Sequence, residues 1–324
     1  MLLAGDVGGT KTLLGLFDRG DRRPVLRASY TYATNAYDSF GAILDAFTRD
    51  FGGTLAVEAA AIGVAGPVVG HRARLTNILW DIAADDVSAH LDAARVRLVN
   101  DLEAMAMSLD VLAADEVAVL QEGVPRADGN AAVIAAGTGL GQAYLHRVGG
   151  RLRPVPSEGG HADFAARTDR ELELVRMLRE LYGRAEVEHV LSGPGILNLH
   201  RFTHRGGQCS VLLDDAVPDT PALVSQAGLT GRCQGCADAL KMFVSAYGAE
   251  AGNLALRGVA TSGLFVGGGI APKILPALRN GSFMDAFIAK APMDELLRKI
   301  PVKVILCADA GLIGAAVHAQ ELLA

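Results

Sequence analysis

Two stretches of the chain carry the same local pattern: an apolar run, a turn rich in glycine and threonine, and a second apolar run. The first turn, residues 5–12, reads Gly-Asp-Val-Gly-Gly-Thr-Lys-Thr, and the second, residues 137–141, reads Gly-Thr-Gly-Leu-Gly. The flanking apolar runs predict strands rather than helices. Because glycine lets backbone N–H groups approach an anion closely, two such turns facing each other across a cleft could hold a polyphosphate from both sides.

Each turn has competing interpretations. The first nearly satisfies the P-loop pattern, but Thr10 occupies the last glycine position, and residues 13–17 run into a turn instead of opening a helix. A glycine hairpin without a ligand is the stronger alternative, because tight turns between strands commonly need glycine. The second turn lacks the final gap of the dinucleotide-binding fingerprint and is not followed by a helix, which argues against a Rossmann site.

Asp6 is an acidic residue among groups that would bind phosphate. A carboxylate does not hold a phosphate directly, because both are negatively charged. Its presence makes sense if a hydrated divalent cation stands between the two, and Mg²⁺ is the cation that best keeps its waters in such sites. The sequence therefore predicts Mg²⁺ near Asp6.

Composition limits the classes of partner. With 324 residues, half of them apolar, the chain can bury a large core and is expected to form two domains. Its net charge of −6, without a basic run, makes nucleic acid an unlikely partner. Residues 1–4 lack the features of a signal peptide, so we expect a cytoplasmic protein. The longest uncharged stretches, residues 131–145 and 258–272, are shorter than the roughly 18 residues of a membrane span.

The four cysteines are Cys209, Cys233, Cys236 and Cys307, and only the Cys233–Cys236 pair has the C-x-x-C spacing of metal ligands. One such pair is half a zinc site, and a second pair could come from His200, His204 and Cys209. Reduced thiols near the start of a helix are the favoured interpretation, and disulfides are not expected in a reducing compartment.

Periodicity elsewhere predicts alternating strands and helices, and hence an α/β protein. Predicted strands cover residues 25–32, 57–64, 72–76, 96–99, 262–266 and 301–306. Predicted helices cover residues 37–51, 85–91, 102–112, 169–182, 185–191, 221–227, 237–257 and 310–322. The single tryptophan, Trp80, is expected to be a packing residue.

Polar residues stand at three further places that could form a site. Asn100 and Asp101 follow a predicted strand, where an α/β sheet presents side chains to a ligand, although Asp101 could equally be the N-cap of the next helix. Glu158 and His161 share a loop and could be a metal pair or could bind hydroxyl groups. Glu188 by itself is expected to lie on a solvated helix face.

Taken together, the motifs resemble those of the bacterial glucokinase family, in the hexokinase and actin-like ATPase superfamily, and the resemblance covers the whole chain. The matching stretches are residues 5–12, 75–77 with Trp80, 98–101, 137–141, 158–161, 191–195, 267–270 and 311–314. The resemblance implies an α/β, two-domain actin-like ATPase (ribonuclease H-like) fold with a cleft between a small and a large domain. It places the small domain at residues 1–110, completed by 301–324, and the large domain at 111–300.

The resemblance also implies the site residues. The sugar would be bound by Asn100, Asp101, Glu158, His161 and Glu188, with Asp101 as the catalytic base. The nucleotide would be bound by Gly5, Asp6, Val7, Gly8, Gly9, Thr10, Gly137, Thr138, Gly139, Gly267, Gly268 and Gly269, with Asp6 near Mg²⁺ through water. Zinc-containing relatives share a Glu-Gly-Gly-His element but have a richer cysteine cluster, which argues further against zinc here.

The resulting expectation is an enzyme that phosphorylates glucose at the 6-hydroxyl with ATP and Mg²⁺, acting as a cytoplasmic homodimer without nucleic-acid or membrane partners. The alternative is an actin-like ATPase or a sugar-binding protein without kinase activity. Such a protein would need the two glycine turns but would have no use for the converging polar residues at positions 100, 101, 158, 161 and 188.

Overall fold

The computed structural model describes residues 1–53, 55–75, 78, 80–93, 95–205, 209, 211 and 220–324. The chain divides into two compact units. The first unit comprises Met1–Ala113 and Cys307–Ala324, and the second comprises Ala114–Leu306. Residues 111–113 therefore belong to the first unit and residues 301–306 to the second, which differs slightly from the domain bounds expected from the sequence.

The first unit is built on a sheet whose described strands lie in the order β3-β2-β1-β4-β8. Strand β1 is antiparallel to β2 and parallel to β4. The strands are β1 (Leu2–Val7), β2 (Lys11–Asp18), β3 (Val25–Ala33), β4 (Ala59–Val64), β5 (Val68–Val69), β6 (Arg72–Arg74), β7 (Asp81–Ala83) and β8 (Arg95–Asn100). The helices are α1 (Phe40–Phe51), α2 (Ala84–Leu91), α3 (Asp101–Ser108) and, from the C-terminus, α11 (Ala310–Glu321), with a 3-10 turn at Thr34–Ala36.

Both faces of this sheet are buried, because successive side chains of a strand point to opposite faces. Leu3 packs in the same cluster as Phe47 of α1, whereas its neighbour Leu2 packs with Ala315 of α11. Trp80 is 9% exposed and belongs to the cluster on the α1 side, so the predicted packing role is confirmed. Its neighbours Thr76, Asn77 and Leu79 lie outside the described residues.

The second unit is built on a sheet whose described strands lie in the order β12-β11-β10-β13-β14-β9. The strands are β9 (Val117–Gln121), β10 (Ala131–Ala136), β11 (Leu140–Val148), β12 (Arg151–Ser157), β13 (Gly263–Gly267) and β14 (Val302–Ile305). The helices are α4 (Asp169–Tyr182), α5 (Gly193–Thr203), α6 (Thr220–Leu229), α7 (Gln234–Gly258), α8 (Leu275–Leu278), α9 (Ser282–Ile288) and α10 (Asp294–Lys299). Short 3-10 turns occupy Ala114–Glu116, Gly159–His161 and Ala271–Ile274.

The two sheets share one topology. As in the first unit, the hairpin strands β10 and β11 are antiparallel, and β10 is parallel to β13 on its other side. Strand β14 then pairs with β13 and with the edge strand β9. These ladder hydrogen bonds explain why residues 301–306 belong to the second unit.

One predicted helix is wrong. Residues 185–191 form an isolated β-bridge at Glu186 followed by bends and a turn. Helix α5 begins only at Gly193, where the Ser192 hydroxyl accepts a hydrogen bond from the Gly195 N–H and Pro194 occupies the first turn. A capping serine followed closely by a proline marks the start of a helix. This signal at residues 192–194 was a better guide than the spacing of apolar residues in 185–191. In the described part of the chain, no helix is both long and apolar enough to cross a membrane.

Candidate active site

The first glycine turn joins β1 to β2 as a hairpin. The Gly8 N–H donates to the Lys11 carbonyl oxygen at 2.9 Å, and Gly9 and Thr10 form the tip. Because a strand and not a helix follows, the P-loop interpretation is excluded, and the predicted strand-turn-strand pattern is confirmed.

Gly5 and Val7 lie inside β1 rather than in the turn. A Cβ on Gly5 would lie 2.9 Å from Ile62 Cδ1 and 3.0 Å from Leu14 Cδ2, so packing alone requires glycine there. Val7 is fully buried. Neither position has a side chain available to a ligand, and either could contribute only its backbone.

Asp6 lies beside the start of α11, in an acidic environment. A Cβ on Gly311 would be 2.8 Å from Asp6 Oδ2, so glycine is what allows the helix to begin next to the carboxylate. Burial raises the pKa of Asp6 to about 6, the negative charges of Asp101 and Asp309 add to the increase, and Lys11 opposes it. Asp6 and Asp101 are therefore electrostatic neighbours within the first unit.

The raised pKa of Asp6 predicts how stability depends on pH without Mg²⁺. A carboxyl whose folded-state pKa is raised stabilises the fold below the unfolded-state pKa, near 4, and this contribution is lost as the pH rises through about 6. We expect Asp6→Asn to exceed the wild type in free energy of unfolding by about 1–3 kcal/mol at pH 8 and by little at pH 4. Urea unfolding in Mg²⁺-free buffer at both pH values measures this difference.

The exposed Asp38 in the same unit supplies the control, because Asp38→Asn removes a carboxylate that solvent already surrounds. Its stability difference from the wild type should be small and similar at both pH values. Equal stability of Asp6→Asn and the wild type at pH 8 would show that burial of the ionised Asp6 carboxylate costs nothing.

Asn100 and Asp101 lie where β8 gives way to α3. Asn100 is the N-cap: its Oδ1 accepts from the Leu102 N–H at 3.0 Å, and its Nδ2 donates to the Gly66 carbonyl oxygen at 3.2 Å. The Glu103 carboxylate accepts from the Asn100 N–H, which completes a capping box. The helix is thus capped by Asn100, and the interpretation of Asp101 as the N-cap is wrong.

Asp101 is the first residue of α3, and its Oδ1 also accepts from the Leu102 N–H, at 2.8 Å. Burial raises the pKa of the Asp101 carboxyl, while hydrogen bonds from backbone N–H groups and the Asn100 side chain oppose the shift. A partly desolvated carboxylate next to a second carboxylate is a better proton acceptor than an exposed one.

The second glycine turn joins β10 to β11 and is held from two directions. The Gly137 N–H donates to the Gly139 carbonyl oxygen at 2.9 Å, and the Gly137 carbonyl oxygen accepts from the Gly193 N–H at 2.8 Å. The Glu188 Oε2 accepts from the Leu140 N–H at 2.8 Å. Thr138 is exposed at the tip. Glu188 is therefore not on a solvated helix face, as the sequence suggested, but supports this turn.

Four acidic and basic side chains converge in the second unit. His161 Nδ1 lies 2.8 Å from Glu186 Oε2, and this hydrogen bond raises the pKa of His161, with the charges of Glu188 and Glu158 adding to the increase. Backbone bonds connect the two loops, since the Glu188 N–H donates to the Gly160 carbonyl oxygen at 2.9 Å. A protonated imidazole among carboxylates can donate to a ligand oxygen while the carboxylates accept from hydroxyl groups.

The sequence analysis missed Glu186, which orients His161. Glu186 lies in the segment 185–191, for which a helix is predicted, and residues two apart on a helix do not face each other. The Glu-Val-Glu alternation at residues 186–188, with Val187 buried, was the available signal for an extended segment with both carboxylates on one side.

The third glycine stretch follows β13 and lies against the end of β10. Gly268 has a φ of +82°, and a Cβ there would lie 2.2 Å from the Ala136 carbonyl oxygen, so glycine is required. Apart from Gly269 itself and its two chain neighbours, no atom of the residues that the structure describes lies within 4 Å of the corresponding Cβ position on Gly269. The buried Tyr247 hydroxyl accepts from the Ala136 N–H at 3.1 Å and lies 3.3 Å from the Gly267 carbonyl oxygen. This backbone surface is therefore next to the Gly137 turn.

The chain is similar to known proteins over nearly its whole length. A family model described as Glucokinase matches residues 3–322. The glucokinase of Synechocystis sp. (strain ATCC 27184 / PCC 6803 / Kazusa) is 39% identical over 98% of this chain and 98% of its own length. The glucokinase of Psychromonas ingrahamii (strain DSM 17664 / CCUG 51855 / 37) is 35% identical over 99% of this chain and 97% of its own.

Solved structures show the same fold. A glucokinase from an Antarctic psychrotroph superposes with a TM-score of 0.88 at 29% identity, covering 99% of this chain and 98% of its own. A ROK family glucokinase from Streptomyces griseus, solved with glucose and AMPPNP, gives 0.67 at 23% identity over 99% of each chain. The expected α/β actin-like ATPase fold is confirmed. By its family model and by these full-length relatives, the chain belongs to the glucokinase family.

Proposed function

We propose that, in the ATP-dependent phosphorylation of glucose by this glucokinase-family enzyme, Asp101 accepts the proton of the 6-hydroxyl. The carboxylate at the start of α3, partly desolvated and next to Asp6, is the observation that carries the proposal. The hydroxyl oxygen forms a bond to the γ-phosphorus, the bond from that phosphorus to the oxygen of the leaving ADP breaks, and the hydroxyl proton passes to Asp101.

We assign the sugar to the polar residues of both units. Asn100, the N-cap of α3, would position the sugar beside Asp101. The remaining hydroxyl groups of the sugar would be bound by Glu158, His161 and Glu188. The Glu186–His161 hydrogen bond supports this role, because it orients the imidazole and raises its pKa, which favours the protonated form that donates hydrogen bonds.

The nucleotide is assigned to the three glycine stretches. The backbone N–H groups of the turns at residues 8–10 and 137–139 would bind the phosphates, and the open backbone surface at residues 267–269 would border the nucleoside. The open space beside the Cα of Gly269 supports the assignment of this backbone surface to the nucleoside. The AMPPNP bound to the Streptomyces griseus relative is consistent with a nucleoside triphosphate as the phosphoryl donor.

Mg²⁺ fits the acidic group in the first unit. The negative charges of Asp101 and Asp309 disfavour ionisation of Asp6, so a hydrated divalent cation would relieve this repulsion. Mg²⁺ would neutralise charge that develops on the phosphate oxygens, with Asp6 holding it through water. On the family resemblance we also propose a cytoplasmic homodimer. An ATPase or sugar-binding protein without kinase activity is not favoured, because the named relatives are glucokinases.

A coupled assay that detects hexose phosphate and ADP separately tests the activity. With MgATP, we expect glucose to give the highest kcat/KM among glucose, mannose, fructose and N-acetylglucosamine. Excess EDTA should abolish turnover, and added MgCl₂ should restore it. ADP release at the same rate with and without every sugar would instead indicate an ATPase.

A further inference from the structure

Three cysteines and a histidine meet in the second unit, away in sequence from every residue assigned above. His204 follows α5, Cys233 directly precedes α7, Cys236 lies in its first turn, and Cys209 comes from the segment between. Cys209 Sγ lies 3.9 Å from both Cys233 Sγ and Cys236 Sγ, and His204 Nε2 lies 3.2 Å from Cys233 Sγ. The fold thus brings together four potential metal ligands that are up to 32 residues apart in the chain.

These separations fit a tetrahedral metal centre. A disulfide needs sulfur atoms about 2.05 Å apart, so separations of 3.9 Å are those of thiols. Four ligands around zinc, with Zn–S bonds of about 2.3 Å, place their sulfur atoms roughly 3.8 Å apart along the tetrahedron edge. The ligand atoms of His200, His204, Cys209 and Cys236 all lie within 4.8 Å of one another, so His200 borders the same centre.

The histidine is held in the form that binds metal. His204 Nδ1 lies 2.8 Å from the His200 carbonyl oxygen, which can only accept, so the Nδ1 nitrogen carries the proton. Nε2 is then left with a lone pair directed at the sulfur atoms. An imidazole whose second nitrogen donates to a backbone carbonyl is the usual arrangement of a metal-bound histidine.

The surrounding backbone is shaped for this cluster. A Cβ on Gly235, the second middle residue of the C-x-x-C, would lie 2.5–2.9 Å from the His204 ring, so only glycine admits the imidazole. The Thr203 hydroxyl donates to the Gly235 carbonyl oxygen at 2.8 Å and ties the end of α5 to this loop. The Val211 N–H points at Cys209 Sγ at 3.4 Å, as backbone donors do towards metal-bound thiolates.

We propose that Cys209, Cys233, Cys236 and His204 form a structural zinc site that connects the end of α5 to the start of α7. Binding releases the thiol protons, and soft sulfur ligands with one imidazole in tetrahedral array select zinc over Mg²⁺. The proposal departs from the sequence-based preference for reduced thiols, because the fold brings His204 and Cys209 to the C-x-x-C pair. None of its four ligands is among the residues assigned above to the sugar or the nucleotide, so we assign the site a role in the stability of the second unit.

Elemental analysis of the purified full-length protein tests the proposal. Protein produced in zinc-supplemented medium under reducing conditions and dialysed without chelator should contain about one zinc per chain. Cys209→Ser should contain less than a tenth of that amount. The matched control is Cys307→Ser, because Cys307 lies outside the cluster and its loss should leave the zinc content unchanged.

Three measurements on the wild type test the proposal even if Cys209→Ser does not fold. Titration with a thiol-modifying mercurial should release zinc in step with the cluster thiols, and cobalt substitution should give the visible spectrum of a tetrahedral thiolate site. Removing zinc with a strong chelator should lower Tm by roughly 5 °C or more. Zinc-free wild type with reduced thiols, a disulfide within the cluster in place of metal, or full zinc content in folded Cys209→Ser would each overturn the proposal.

Discussion

Replacing Asp101 by asparagine is expected to lower kcat by roughly 10²- to 10⁴-fold, the range typical of losing a general base. Asparagine keeps the size and the hydrogen bond to the Leu102 N–H but cannot accept the hydroxyl proton. Because burial raises the pKa of Asp101, the wild-type carboxylate is a stronger base than an exposed aspartate. Turnover at saturating glucose and MgATP measures the effect.

Stability should change by only about 1 kcal/mol in Asp101→Asn, because Asn100 caps α3 and remains in place. Glu103→Gln is the matched control: it neutralises a carboxyl on the same helix, and glutamine can still complete the capping box. Its kcat should stay within about threefold of the wild type. If Asp101→Asn retains more than about a tenth of wild-type kcat, Asp101 is not the base.

Replacing Gly314 by alanine is expected to destabilise the first unit by about 3 kcal/mol or more. The added Cβ would lie 1.7 Å from the Ala104 carbonyl oxygen and 3.0 Å from the Ser108 nitrogen, both backbone atoms of α3. Neither helix can give way locally, so α11 and α3 must separate. Because α3 carries Asp101 at its start and α11 begins beside Asp6, activity should fall together with stability.

Thermal unfolding followed by circular dichroism measures this change, and we expect Tm to fall by roughly 6–12 °C. Gly41→Ala is the matched control in α1 of the same unit, where the nearest atom to the added Cβ is Ser39 Oγ at 3.7 Å. Alanine there should leave stability unchanged or raise it by up to about 1 kcal/mol, because alanine has the higher helix propensity. Equal Tm values for Gly314→Ala and Gly41→Ala would contradict the close helix contact.

Local pattern was enough to predict the two glycine hairpins, because short apolar runs and glycine turns depend on neighbouring residues only. The long helices were predicted for the same reason: α4 has the predicted bounds of residues 169–182. The failure at residues 185–191 shows the limit of this reasoning, because valine and leucine spacing over seven residues fits a helix turn and an extended loop alike.

In the candidate site, too, local sequence predicted some features and only the three-dimensional fold could establish others. Asp101 and Asn100 could be singled out by their position after a strand, but which of them caps α3 depended on side-chain rotamers. Glu188 supports the second glycine turn by accepting from the Leu140 N–H, 48 residues away in sequence, which local spacing does not indicate. Glu186 orients His161 across 25 residues, for the same reason beyond the reach of local spacing.

Composition and short-range spacing were sufficient to predict the α/β class, the repeated hairpins and the candidate residues for phosphate and Mg²⁺, because these features depend on residues that are close in the chain. The raised pKa of Asp6, the close contact at Gly314 and the proximity of Cys209 to Cys233 and Cys236 could be established only from the three-dimensional fold. Burial, charge–charge interaction and ligand geometry depend on distances in space between residues far apart in the chain. Spacing along the chain does not contain those distances.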